Sequence, residues 1–308
     1  MNKEKSQKKQ YNDVNGILLL NKSAGVSSNQ SLQKVKRIYN AKKAGHTGSL
    51  DVPATGLLPI CFGEATKVSE YLLSSDKKYF ARCRLGETTT TGDAEGDLLE
   101  RKQIPPSNKL KLEEVLENFI GEIKQTPPMF SALKHQGVRL YKLAYKGISV
   151  ERKSRCIKIY KINLLNRGSD FFDIEVTCSK GTYIRTLVED IGKKIGCGAH
   201  VLTLNRKISG PFHESDSITL EEIENIARNN PVALSDLLLP MDTALKDIPQ
   251  IQLKNEEVFS ITRGQSINTN GSHKCGKLRM YDSSRQFIGL GEITKDGRVS
   301  PKRLINIT

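Results

Sequence analysis

Two stretches of strict alternation constrain this chain most. Phe172, Ile174, Val176 and Cys178 alternate with Asp173, Glu175 and Thr177; Tyr79, Ala81, Cys83 and Leu85 alternate with Phe80, Arg82 and Arg84. Successive strand residues point to opposite faces, so both segments predict half-buried strands. The apolar run Gly16 to Leu20 predicts a third, short and buried. Helical spacing lies between and after them: Leu32, Val35, Ile38 and Tyr39 behind a Ser27 or Ser28 cap, Leu112, Val115, Leu116 and Phe119, and Ile184, Leu187, Val188 and Ile191. Thr219 and Glu222 have the spacing of a capping box. Strands with interspersed helices, and neither a Walker-type loop nor a dinucleotide fingerprint, predict an α+β fold.

Residues 1–12 read as a basic, disordered tail, 13–248 as one large domain, and 249–308, a run of short strands, as a small β domain. Within the large domain, about 125–155 looks like a long excursion, rich in cations and poor in core pattern. Such excursions are functional or disordered.

An excess of cations narrows the partner. The 308 residues carry 48 Lys and Arg against 34 Asp and Glu, a net charge of +14 spread along the whole length. A polyanion with many phosphates suits that distribution better than a small acidic metabolite. Six scattered cysteines (Cys61, Cys83, Cys156, Cys178, Cys197, Cys275) and five dispersed histidines (including His273) offer neither metal-ligand spacing nor a disulfide framework. No apolar run approaches the ~20 residues that span a bilayer. The expectation is a cytoplasmic protein with reduced thiols and no metal.

Asp51 sits where glycine and threonine are densest: Gly45, Thr47, Gly48, Thr55 and Gly56 all lie within six residues of it. Glycines allow unusual backbone angles and close approach of a ligand. Local composition alone equally suits an Asp that caps a tight turn.

These residues resemble a known family. Gly45-His46-Thr47-Gly48-Ser49-Leu50-Asp51, continuing to Ile60, is similar to the catalytic motif of TruB-type pseudouridine synthases. Further matches follow in chain order: Gly16 to Ser28 with Lys22, Asp76-Lys77-Lys78-Tyr79, Ser131-Ala132-Leu133-Lys134, Cys178 to Thr186, and Gly196 to Leu204. Two departures stand out. Val52 follows Asp51 where the family usually has Pro, and Ser23 replaces another Pro.

The resemblance implies a mixed or antiparallel central sheet with flanking helices, a C-terminal domain of the PUA-like kind, and isomerisation of uridine at position 55 in the T-loop of tRNA. It implies that Asp51 is the essential carboxylate, attacking the nucleotide or taking a ribose proton. Arg185 pairs with it and lowers its pKa; read without the resemblance, Arg185 is equally an exposed helix arginine beside Glu189. Tyr79 stacks on the flipped uracil or moves the C5 proton, and Tyr183 and Leu204 line the pocket, although all three also suit a core. His46 and Lys22 contact the substrate. Lys134, Arg139, Tyr141 and Arg152 grip RNA, cations neutralising phosphates and rings stacking on bases. No cofactor or protein partner is implied, and a monomer is the expectation. Rival readings are a non-catalytic RNA-binding protein on the same fold, or a synthase acting on another RNA.

Overall fold

The two alternating segments lie side by side at the centre of a ten-stranded sheet. A computed structural model describes residues 10–106, 111–268 and 275–306. Residues 1–9 of the expected tail, and His273, lie outside the described residues; Asn12, also assigned to that tail, donates its backbone N–H to Asn40 O at 3.0 Å.

The sheet comprises β1 (Gly16–Lys22), β2 (Ala44–His46), β3 (Thr55–Phe62), β4 (Lys77–Leu85), β5 (Gly121–Gln125), β6 (Arg155–Arg167), β7 (Phe171–Cys178), β8 (Ala199–Ser209), β9 (Phe212–His213) and β10 (Ile218–Thr219). Its order is β10-β1-β3-β8-β4-β7-β6-β5, with β2 also on β3 and β9 on β8. The pairs β1–β10 and β3–β8 are parallel and the rest antiparallel, so the sheet is mixed. In β4 and β7 one face carries Ala81, Cys83, Ile174 and Val176, all fully buried. On the other face Arg82 donates from Nε and Nη2 to the two carboxylate oxygens of Asp173, directly across the ladder, at 2.7 and 2.8 Å. The alternation in sequence is this division between core and polar face.

Two helices flank the site. In α1 (Ser28–Ile38), Ser27 accepts from the Gln30 N–H and Gln30 reaches back to the Ser27 N–H, a capping box that satisfies otherwise orphaned donors. Leu32 and Val35 pack it on Leu18, Leu58 and Ile60. In α2 (Ile184–Ile195) the buried Ile184, Leu187, Val188 and Ile191 lie against Ala81, Cys83, Ile174 and Val176. Burying each such side chain contributes roughly 1.5–3 kcal/mol. Gly196, at φ +98°, ends α2 in the left-handed conformation that glycine adopts without strain. A third helix, α3 (Leu220–Asn229), begins at the Thr219–Glu222 capping box.

Between β5 and β6 the chain leaves the sheet. It makes a two-residue hairpin, Lys134–His135 against Val138–Arg139, and one short helix, Leu140–Ala144. The C-terminal part forms a second sheet from β11 (Gln250–Gln252), β12 (Ile267–Asn268), β13 (Gly276–Tyr281), β14 (Phe287–Ile293) and β15 (Arg298–Leu304), in the order β11-β13-β14-β15-β12. Its core is its own, around Ile261, Leu278, Met280, Ile288 and Val299. Contact with the first sheet's domain runs through Val68, Leu245 and Leu290 and through Tyr281, whose hydroxyl donates to Asp242 at 2.7 Å.

Candidate active site

Asp51 lies in the loop between β2 and β3, and that loop is tied down from four sides. Ser28 Oγ donates to Leu50 O at 2.9 Å and accepts from Leu50 N at 2.8 Å. Lys22, only 1 % exposed, spends its ammonium on the carbonyls of Ser23, Val52 and Ala54 at 2.9, 3.2 and 2.6 Å. Arg206, equally buried, donates to Leu57 O at 2.7 Å and to Gly48 O at 3.0 Å. Thr47 N donates to Pro59 O at 3.1 Å. Glycine is required at position 56, where φ is +97° and a Cβ would sit 2.6 Å from Arg206 O.

Against this loop stands Arg185, in the first turn of α2 and 4 % exposed. Its Nε lies 2.9 Å from Asp51 Oδ2 and 3.6 Å from Asp93 Oδ2, as charge contacts without a hydrogen bond's alignment. Nη1 donates to Thr91 O at 2.6 Å and Nη2 to Phe130 O at 2.7 Å. One guanidinium therefore joins the Asp51 loop, the hairpin of Glu87–Thr89 against Leu98–Arg101 and the root of the excursion. The reading of Arg185 as an exposed helix arginine paired with Glu189 is overturned by this burial.

Burial raises the Asp51 pKa above the usual carboxylate value, and Asp93 adds to the rise; Arg185 and Lys22 pull the other way. The expected downward pull of Arg185 is present, but loss of hydration outweighs it. The side chain is nonetheless 41 % exposed, because it opens into a cleft.

Two cavities meet at Asp51 and Arg185. One, of about 410 Å³, is lined by Tyr79, Tyr183, Leu204 and Arg206. The other, of about 500 Å³, is lined by His46, Asp93, Arg139, Tyr141 and Tyr145. Tyr79 faces its cavity from β4, opposite Val176 and Arg206 in the ladders. Tyr183 caps α2, its backbone clamped by Gln125 at 2.8 and 3.0 Å and its ring under the Arg155 guanidinium at 4.9 Å. Burial and Arg206 lower the His46 pKa, which favours its neutral imidazole.

The structure thus brings Asp51, Tyr79, Arg185, Tyr183, Leu204, His46, Arg139 and Tyr141 to one cleft. Lys22 is not on its wall; desolvation lowers its pKa to about 8, and its carbonyl contacts put it behind the loop as a support. Arg152 is also placed differently from an open RNA contact: it is half-buried, and its Nη1 donates to Pro127 O at 3.0 Å, bracing the excursion. Lys134 is exposed. Sequence reasoning missed Asp93 and Arg206. Asp93 hides in a loop whose sequence reads only as acidic, and its signal was the Gly92 beside it, where a Cβ would meet Glu189. Arg206 follows Leu204 at the end of the matched segment, with no pattern to separate it from a surface cation. Among the described residues no group of three or more His, Cys, Asp or Glu is placed to hold a metal, and no helix is long and apolar enough to cross a membrane.

Comparison with known proteins identifies the family. Residues 36–184 match the domain described as TruB family pseudouridylate synthase (N terminal domain), 185–246 the tRNA pseudouridylate synthase B C-terminal domain, and 249–305 the pseudouridine synthase II TruB C-terminal domain. The tRNA pseudouridine synthase B of Nitrosococcus oceani is 50 % identical over 302 residues, 98 % of each chain. That of Pseudomonas aeruginosa is 50 % identical over 293 residues, 95 % of this chain and 96 % of its own. Among solved structures, a chain of an H/ACA ribonucleoprotein bound to a substrate RNA containing 2′-deoxyuridine superposes with a TM-score of 0.73 at 25 % identity, covering 95 % of this chain and 85 % of that one. With the cleft, the ordered motifs and near-full-length identity in agreement, this chain belongs to the TruB family of pseudouridylate synthases.

Proposed function

We propose that this protein converts uridine to pseudouridine at position 55 in the T-loop of tRNA. The reaction breaks the C1′–N1 bond, forms C1′–C5, releases the C5 proton to solvent and leaves N1 carrying a proton taken up in its place, so the product is an isomer with no net redox change. The observation that carries the reading is a carboxylate 2.9 Å from a buried guanidinium at the junction of two cavities, one lined by Tyr79, Tyr183, Arg155 and Arg206 and the other by His46, Tyr141, Tyr145 and Arg139. A stacked base must leave its helix before such chemistry, and a pocket walled by Tyr79, Tyr183 and Leu204 offers the apolar faces to receive it. Asp51 then acts on the ribose of the extruded nucleotide. Arg185 keeps the carboxylate oriented. His46, on the wall of the second cavity, fills the space that the departed base leaves. Arg139, Tyr141 and Lys134 hold the RNA loop, and the C-terminal sheet adds a further RNA contact. The protein works as a monomer in the cytoplasm, without metal or cofactor.

Tritium release tests this directly. An unmodified tRNA transcript carrying 5-tritiated uridine is expected to yield one equivalent of tritium, and none when uridine 55 is replaced by cytidine. Release that persists after that replacement would show that another uridine of the transcript is the target, and no release from the unreplaced transcript would overturn the reading.

A further inference from the structure

Between Asp13 and Asp51 the chain has no acidic residue, whereas its average acid content would place about four in those 37 positions. The same stretch holds Lys34, Lys36, Arg37, Lys42 and Lys43 in addition to the buried Lys22. In the fold both ends of this stretch reach the cleft. α1 starts at the cleft, where Ser27, Ser28 and Asn29 line the 500 Å³ cavity, and the chain returns to the same cavity at His46 on β2. Lys34, Arg37, Lys42 and Lys43 are exposed, and Lys36 is half-buried.

Among the described residues none of these five cations forms an ion pair. Arg37 Nε donates only to Gln33 O of its own helix, at 3.3 Å. Glu64, whose carboxylate feels Lys43, is already paired with Lys67 at 2.5 Å. Helix α3 packs on α1 and carries Glu221, Glu222 and Glu224, yet none of the three lies within ion-pair distance of it, and Glu222 is engaged in its own cap. A surface whose charges serve only solubility mixes both signs; this one is of single sign and runs up to the cleft.

We infer that the outer face of α1, with Lys42 and Lys43, is a second phosphate-binding surface for the RNA strand that leaves the cleft. The inference rests on the proposed RNA substrate and extends its footprint beyond the reacting loop. From Asn29 at the cavity to Arg37 is eight helical residues, about 12 Å at 1.5 Å each. That distance is the length of a few backbone phosphates, so a strand emerging past His46 meets these cations in succession. The contacts are to phosphate and carry no sequence information; they add affinity and orientation, and take no part in the chemistry.

The test is the salt dependence of binding to an unmodified tRNA transcript. The variant Lys34→Gln/Arg37→Gln/Lys42→Gln is compared with wild type and with a control, Lys193→Gln/Lys194→Gln, at the far end of α2. Each phosphate that is no longer neutralised lowers the slope of log K against log[salt] by roughly 0.7–0.9. The triple variant is expected to lose about two units of slope and at least about tenfold in affinity near 0.1 M salt. Tritium release at saturating RNA and the melting temperature are expected to stay at wild-type values. A slope change no larger than the control's would overturn the inference and leave α1 with a merely solvated face. Failure of wild type to bind or turn over the transcript would instead sink the proposed function, so the two failures are distinguishable.

Discussion

The Asp51 loop and the excursion between β5 and β6 lie on opposite sides of one cleft, and they are built in opposite ways. The loop is short, and the buried side chains of Ser28, Lys22 and Arg206 hold its backbone at Leu50, Val52, Ala54, Gly48 and Leu57. The excursion runs for some thirty residues with one short hairpin and one short helix. It leaves Leu133, Val138, Tyr145 and Ile148 exposed, and its root is fastened by Arg185 to Phe130 O and by Arg152 to Pro127 O. A reacting carboxylate must be held in one position, because an ångström of misplacement costs orders of magnitude in rate. A surface that grips folded RNA must adapt to its partner, and adaptable segments come from the weakly packed part of a structure. Arg185 bridges the two regions and ties the position of the excursion's root to the carboxylate.

Changing that bridge breaks the comparison most severely. Arg185→Met is expected to lower kcat by about 10²-fold or more and to destabilise the fold by roughly 3–5 kcal/mol, because Asp93 is left buried without its cation. The substitution also removes the guanidinium that pulls the Asp51 pKa down. The acid limb of the residual activity should therefore move to higher pH; an unmoved limb would show that the guanidinium does not govern the carboxylate's ionisation. Ser28→Ala strikes the rigid side alone. It removes both bonds at Leu50 and should cost about 1–3 kcal/mol of stability, read by denaturant unfolding, together with a fall in kcat.

On the adaptable side, the double variant Lys134→Ala/Arg139→Ala should leave the melting temperature unchanged. Affinity for tRNA should weaken, and the salt slope should fall by roughly 0.7–0.9 for each phosphate left without its cation. A change in stability instead would mean that the excursion is packed more firmly than its exposure suggests. The smallest effect is expected from Val52→Pro, which restores the family's usual residue beside Asp51. Proline limits the unfolded chain, and a gain of about 0.4–1 kcal/mol follows if the loop already suits it. A drop in stability or activity would show that the Gly25 N–H and Lys22 contacts to Val52 O define a different backbone path.

Much of the fold was legible because local patterns coincided with tertiary demands. Alternation in 79–85 and 172–178 predicted strands since one face of each is truly dry, and Thr219 with Glu222 predicted a helix start since the cap is purely local. Arg185 was harder: its spacing off the apolar stripe of α2 reads as solvent exposure, whereas a loop 94 residues earlier in sequence covers it. The same long-range closure hid Asp93 and Arg206, whose partners lie far away in the chain. Lys22 and Arg152 read as ligands of RNA because cations near motifs suggest phosphate; whether an ammonium faces a cleft or a set of carbonyls depends on the path of a neighbouring loop. The order of strands, with its two parallel pairs, likewise follows from pairings that no window of sequence contains.

The central claim is that the Asp51 carboxylate performs the chemistry and does not hold the fold together. Asp51→Asn keeps the size and polarity of the side chain and removes its charge. Side by side with wild type, its tritium release and its binding should be measured on the same tRNA transcript. The account predicts binding within a few-fold of wild type and no detectable release. Release by the variant at a rate near that of wild type would contradict it, and would move the chemistry from Asp51 to another group in the cleft.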